Sequence, residues 1–396
     1  MDPRDDSPSW LSALLAPVQV DEFLSHYWLK NFLFCEGPRD RFSQLLSWPD
    51  VNDILARHWR ETFRFRLARQ GRDLDPASYA DFEGHTPRVR AKDLTDHLRR
   101  GATLSFDAID EVHEPLTRLA EQFEAFFRGG TKINIYAGWR AMHGLDLHRD
   151  NQEIFILQLD GRKRWLLYGF SIDGIDRGSL ASTSTPPAGA ALDQILEPGD
   201  LLYIPRGCYH LAVPMNEPAL HLTLGVKNPR GIDLLLWLAE RVRTTDAAGR
   251  DLPILAGADE RRRYADELRN ALLCNLEPDL VEQYLAETGS NFKPRPTFNL
   301  PWSATPELLP HGREFHVQMT GRARMSPNGA GALELSFSGR TLRFPPAMRA
   351  VVAQLNDRQP RQMGQILDTL AGRLDEESVR MLVGMLVKEN LVEITA

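Results

Sequence analysis

His148, Arg149 and Asp150 stand together in the stretch HGLDLHRDNQEIFILQLDGRKRW. In an extended chain residues i and i+2 project to the same face, so this imidazole and this carboxylate can converge on one metal ion. A third ligand comes from GDLLYIPRGCYH, which turns at Gly199-Asp200, runs as a strand, turns again at Pro205-Arg206-Gly207 and delivers His210. Two imidazoles and one carboxylate on one side of an ion leave the opposite positions open, which suits non-haem Fe(II) and its need to bind a cosubstrate and dioxygen together. A structural zinc site would instead be closed by four Cys or His ligands. Cys35, Cys208 and Cys274 are too scattered to supply them. A lone His-x-Asp recurs by chance, and it is the coincidence with the later GDxxxxPxGxxH pattern that raises the pair to a candidate site.

The elements that must position these residues can be read from the hydrophobic pattern. Residues 9 to 130 read mostly as helices, and over 111 to 127 the apolar side chains of Leu116, Leu119, Ala120, Phe123, Phe126 and Phe127 recur at helical spacing until Gly129 and Gly130. From 131 to about 226 the chain changes to short apolar runs cut by turn residues, an all-β block. Within it Asp160-Gly161 reads as a tight hairpin turn, and residues 171 to 190 as a long loop rich in Gly, Ser and Pro. Helical periodicity returns after 230, followed by a Pro-rich linker at 294 to 310. The strand-like runs LELSF and TLRF, joined at Ser338-Gly339, then precede three short helices near 346 to 355, 362 to 372 and 376 to 388 and a final strand, LVEIT. Two strands with three helices suggest a small winged-helix module. The division expected is 1–228, 229–310 and 311–396.

Bulk composition narrows the function classes. A chain of 396 residues with 42% hydrophobic content is that of a globular protein with more than one core. No apolar run reaches the roughly 18 residues of a membrane span, the start MDPRDDSPSW lacks a signal-peptide pattern, and the cysteines form no disulfide framework, so a cytoplasmic protein with reduced thiols is expected. The net charge of −7 argues against binding to phosphate backbones. The same holds locally, since residues 346 to 396 carry six basic side chains against seven acidic ones.

Five segments together resemble the JmjC-type cupin oxygenases, and within them the bacterial and the mitochondrial or nucleolar ribosomal oxygenases. They are NIYAG at 134 to 138, HRDNQE at 148 to 153, FILQLDGRKRW at 155 to 165, GDLLYIPRGCYH at 199 to 210 and HLTLG at 221 to 225, and FLSHYWLKNFLFCEG looks like that family's opening helix and strand. The resemblance implies an α+β protein whose catalytic domain is a double-stranded β-helix, the cupin jelly roll, with a helical N-terminal region, a helical dimerisation segment and a C-terminal winged helix. It implies Fe(II) held by His148, Asp150 and His210, 2-oxoglutarate as cosubstrate and dioxygen as oxidant. Lys163 matches the basic residue that holds the far carboxylate of 2-oxoglutarate, and Asn134 and Thr223 match polar cosubstrate contacts. By strand alternation Trp165 shares the face of Lys163, with Arg162 and Arg164 on the other. Tyr136 can line the same pocket or belong to the core, while His221 reads as structural and His143 as a loop residue.

Relatives that transfer halide replace the carboxylate ligand with a small residue; Asp150 is present, so hydroxylation is implied. The implied substrate is an Arg or His side chain of a protein or peptide, typically a ribosomal protein, and the implied assembly a homodimer. One departure concerns the rim over the metal, where GWRAMHGLDLHRD stands in place of the family's Pro-rich stretch. Hydroxylation of a ribosomally made natural-product precursor peptide is the alternative within the class, with lysine demethylation ranked third. A cupin that only binds a metabolite, or a winged-helix regulator, is the alternative of another class.

Overall fold

In a computed structural model the described residues are 9–57, 64–82, 88–171, 189–288, 299–305, 309–320, 323–327, 332–337, 340–357 and 359–395. Most of the expected 171 to 190 loop, part of the Pro-rich linker and the Ser338-Gly339 turn lie outside them. The chain divides into two compact units, Met1–Asn228 and Pro229–Ala396.

The first unit is built on strands β1 (Leu33–Cys35), β2 (Phe65–Arg69), β3 (Arg72–Asp73), β4 (Ala80–Asp81), β5 (Arg88–Val89), β6 (Thr103–Phe106), β7 (Gly130–Gly138), β8 (Glu153–Asp160), β9 (Lys163–Phe170), β10 (Leu192–Leu196), β11 (Leu201–Ile204), β12 (Cys208–Pro214) and β13 (Ala219–Lys227). The eight-stranded major sheet runs β1-β11-β8-β13-β7-β6-β2-β3, and a three-stranded minor sheet runs β10-β9-β12. Every pairing is antiparallel.

The N-terminal region, whose regular structure is mainly helical as expected, also supplies β1, β2, β3 and β6 to the major sheet. Their short runs carry too few alternating positions to stand out from helical periodicity. Asp160-Gly161 does not close the expected hairpin. β8 pairs with β11 and β13, whereas β9 pairs with β10 and β12, so the chain crosses here from one sheet to the other. Gly161 adopts φ +60°, and a Cβ on it would meet the Pro218 carbonyl oxygen at 1.8 Å, so this crossing admits only glycine.

Strand alternation gives the major sheet two different faces. Ile133, Ile135, Phe155, Leu157, Leu220, Leu222 and Leu224 pack outward into a core with the N-terminal helices, including Leu116, Ala120 and Phe123 of helix Glu114–Phe127. That helix ends at Arg128, which takes the left-handed conformation at φ 53°. The intervening residues Tyr136, Ile154, Ile156, His221 and Thr223 point inward between the sheets.

The second unit contains helices Gly231–Val242, Asp246–Gly249, Ala258–Leu273 and Leu280–Thr288. On Gly231–Val242 only Leu238 and Val242 are buried, while Ile232, Leu235 and Leu236 are exposed. Beyond it helices Met348–Leu355, Met363–Leu370 and Glu376–Lys388 share one core with strands His316–Met319, Leu333–Phe337 and Val392–Thr395.

Candidate active site

The two candidate ligand segments are joined by backbone. His148 and His210 form an antiparallel bridge, with the His148 N–H donating to His210 O at 3.2 Å and the His210 N–H to His148 O at 2.8 Å. Asp150 is tied to the turn before β12, since the Gly207 N–H donates to Asp150 O at 3.0 Å. The consequence is convergence of one ligand atom from each of His148, Asp150 and His210 within 4.8 Å of one another. Asp150 Oδ2 lies 4.0 Å from His148 Nε2 and 3.7 Å from His210 Nε2.

Orientation of both imidazoles is set from behind. His148 Nδ1 lies 2.7 Å from the Asp146 carbonyl and His210 Nδ1 lies 3.1 Å from the Cys208 carbonyl. A carbonyl only accepts, so Nδ1 carries the hydrogen in each ring and Nε2 presents its lone pair to the ligand cluster. Holding the second ring nitrogen in this way is the usual support of a metal-binding histidine. Burial, reinforced by the neighbouring His148, pushes His210 down to about 4, so its imidazole is neutral and ready to ligate at physiological pH.

The cluster opens onto a cavity of about 480 Å³, counting its open mouth, between the two sheets. Lys163, 5% exposed, lines it from the start of β9, and burial alone lowers its pKa to about 7. Around it lie Trp165, Tyr136, His221 and Thr223. Tyr136 stacks on His221 at 5.3 Å, and Trp165 meets His221 edge-on at 5.4 Å. Burial, with Asp150 nearby, pushes the Tyr136 phenol up to about 12, and burial beside Lys163 holds His221 well below its ordinary range. Apolar lining is completed by Ile154, Ile156 and Ala212.

The expected site residues thus fall in three places. His148, Asp150 and His210 cluster at one end; Lys163 and Thr223 line the same cavity. Asn134 does not line it, its Oδ1 accepting the Ala108 N–H at 3.0 Å behind Tyr136. Trp165 shares the inner face with Lys163, while Arg164 points outward to Asp193 and Arg162 pairs with Glu217, as alternation requires. His143 pairs with Asp146 at 3.1 Å. Tyr136 and His221 carry more of the cavity wall than sequence reading gave them, and the only signal for this was their shared parity with Asn134 and Thr223 on facing strands.

A family model for the JmjC domain matches residues 109–234. The chain is 31% identical over 225 residues to the bifunctional lysine-specific demethylase and histidyl-hydroxylase NO66 of Drosophila grimshawi, covering 54% of this chain and 30% of that protein. To ribosomal oxygenase 2 of Rattus norvegicus it is 30% identical over 242 residues, covering 55% of this chain and 48% of that one. It spans less than half the length of either relative. Across nearly its full length it shares a fold with YcfD, a ribosomal oxygenase of Escherichia coli solved with cobalt and 2-oxoglutarate: TM-score 0.61, 21% identity, 96% of this chain and 99% of that one. The stretch that matches the JmjC domain lies in the unit that carries the two sheets and the cavity. The relatives and the solved structure that resemble the chain include proteins named as ribosomal oxygenases.

Proposed function

We propose that this chain is an Fe(II)- and 2-oxoglutarate-dependent oxygenase that hydroxylates a side chain of a polypeptide. The carrying observation is that a two-His, one-Asp cluster and the buried amine of Lys163 line one cavity. The residues fit the absent groups: two Nε2 lone pairs and one carboxylate suit Fe(II), and a desolvated Lys163 suits the far carboxylate of a chelating 2-oxo dicarboxylate. When bound, the metal and cosubstrate would activate dioxygen, one of its oxygen atoms entering the substrate C–H bond and the other the succinate that forms, with carbon dioxide, from 2-oxoglutarate.

The chain's own residues bind, orient and exclude water. Asp146 and Cys208 carbonyls keep the imidazoles in the ligating tautomer, Lys163 fixes the direction of the cosubstrate, and Ile154, Ile156 and Ala212 keep the space between dry. Thr223 offers a hydroxyl from the cavity wall, and Asn134 acts through Tyr136 and the backbone at Ala108.

The relatives' names favour a histidine side chain of a ribosomal protein as target, with arginine the family's other target type. We further assign a cytoplasmic location, a homodimer formed through the apolar face of Gly231–Val242, and a winged-helix role for the C-terminal module in holding the polypeptide. The lack of a basic surplus over 346 to 396 favours a protein over DNA as its partner.

The test has two parts. Anaerobic Fe(II) should bind near one-to-one, with His148→Ala and His210→Ala losing both binding and succinate formation. Mass spectrometry of a cell lysate treated with the protein, Fe(II) and 2-oxoglutarate should then show a polypeptide heavier by one oxygen atom. Release of formaldehyde with loss of a methyl group would favour lysine demethylation instead. Hydroxylation confined to small precursor peptides would move the substrate, and no succinate under any condition would favour a metabolite-binding cupin.

A further inference from the structure

We propose that Glu153 is a positioning residue of the metal centre, bracing the turn that delivers His210 from the side opposite the cavity. The inference rests on the metal reading above.

Glu153 is the first residue of β8 and lies three positions after Asp150. By alternation it points away from the cavity, on the face of Phe155 and Leu157, and it is 2% exposed. Its Oε2 accepts two hydrogen bonds, from the Tyr203 hydroxyl and from the Arg206 N–H at 3.3 Å. Arg206 is the middle of the Pro205-Arg206-Gly207 turn, and its neighbour Gly207 donates to Asp150 O. One carboxylate oxygen and one backbone carbonyl, both from the Asp150 to Glu153 segment, thus hold the turn from which His210 emerges.

The brace continues into the N-terminal segment. Tyr203 Oη also accepts the Leu29 N–H at 2.9 Å, and its ring packs against Phe23 and Phe155, each at 5.0 Å. A carboxyl in such aromatic surroundings is costly to bury, and burial raises its pKa. An apolar residue of similar size would pack there without that cost, yet would leave the Arg206 N–H and the Tyr203 hydroxyl without their acceptor. What the carboxyl secures is the position of the turn. Because a single oxygen takes both bonds, the amide oxygen of glutamine can replace it.

The experiment titrates the full chain with Co(II), reading affinity and the ligand-field spectrum, beside the melting temperature of the metal-free protein. Disturbing the groups behind metal ligands typically weakens affinity about 10- to 100-fold. Glu153→Met should fall in that range with an altered spectrum, Tyr203→Phe should weaken binding by a smaller factor, and Glu153→Gln should stay within about threefold of wild type. Wild-type affinity and spectrum in Glu153→Met, with only a lower melting temperature, would overturn the proposal and leave a purely structural carboxyl. If Glu153→Met does not fold, Tyr203→Phe decides: weakened Co(II) binding supports the brace and unchanged binding overturns it. A Glu153→Gln variant as weak as Glu153→Met would also overturn it, by implicating charge. Failure of the wild type to bind Co(II) would overturn the metal reading and this inference together, whereas tight binding indifferent to all three variants overturns this inference alone.

Discussion

Lys163 makes the most specific demand at the scale of single residues. Only its ammonium form pairs with a carboxylate, and burial places its pKa at about 7. Below that pH the pairing form is already present; above it, binding must take up a proton, and affinity falls about tenfold per pH unit. The affinity for 2-oxoglutarate, measured anaerobically with metal bound, should therefore weaken as pH rises from 7 to 8, with proton uptake visible by calorimetry in buffers of different ionisation heat. Lys163→Arg should remove this pH dependence while binding less well, since the guanidinium stays charged but needs a wider slot. Lys163→Ala should raise the 2-oxoglutarate requirement about 10- to 100-fold, the worth of a charged hydrogen bond of about 1.5–3 kcal/mol, with metal affinity kept.

The cluster of His148, Asp150 and His210 was legible because metal chemistry restricts candidate ligands to few types at fixed local spacing. Glu153 and Tyr203 were not, since their bond joins residues far apart in sequence and neither type signals metal support. Asn134 Oδ1 accepts the Ala108 N–H, a partner from a loop that the local pattern around Asn134 does not announce.

At the scale of elements, the crossing between β8 and β9 determines which face Lys163 reaches. Asp160-Gly161 carries the local signal of a hairpin, and that signal reports only the turn conformation, not which strands pair. In a jelly roll the partners of a strand come from distant segments, as with β8 and β13 or β9 and β12. Gly161→Ala should therefore destabilise the protein by about 1–3 kcal/mol through backbone strain, because its Cβ meets the Pro218 carbonyl. Chemical denaturation of the two proteins measures this directly, and equal stabilities would show that the crossing relaxes without cost. The helices after 230 and the three near the C-terminus were legible from periodicity over long stretches, whereas β2, β3 and β6 were too short to announce themselves.

At the scale of the whole molecule, the exposed Ile232, Leu235 and Leu236 on Gly231–Val242 lead to the proposed dimer. Light scattering should give twice the chain mass, and Leu235→Glu with Leu236→Glu should give the monomer with iron affinity unchanged. A wild-type monomer at all accessible concentrations would remove the dimer from the account. Iron- and cosubstrate-dependent oxidation bears more directly on what the molecule does. The most direct measurement is succinate formed from 2-oxoglutarate in air by the full chain, with and without Fe(II), beside His148→Ala and His210→Ala. The account predicts slow succinate production that requires Fe(II) and disappears in both variants; production at the wild-type rate in either variant, or none from a wild type shown to bind iron and 2-oxoglutarate, would contradict it.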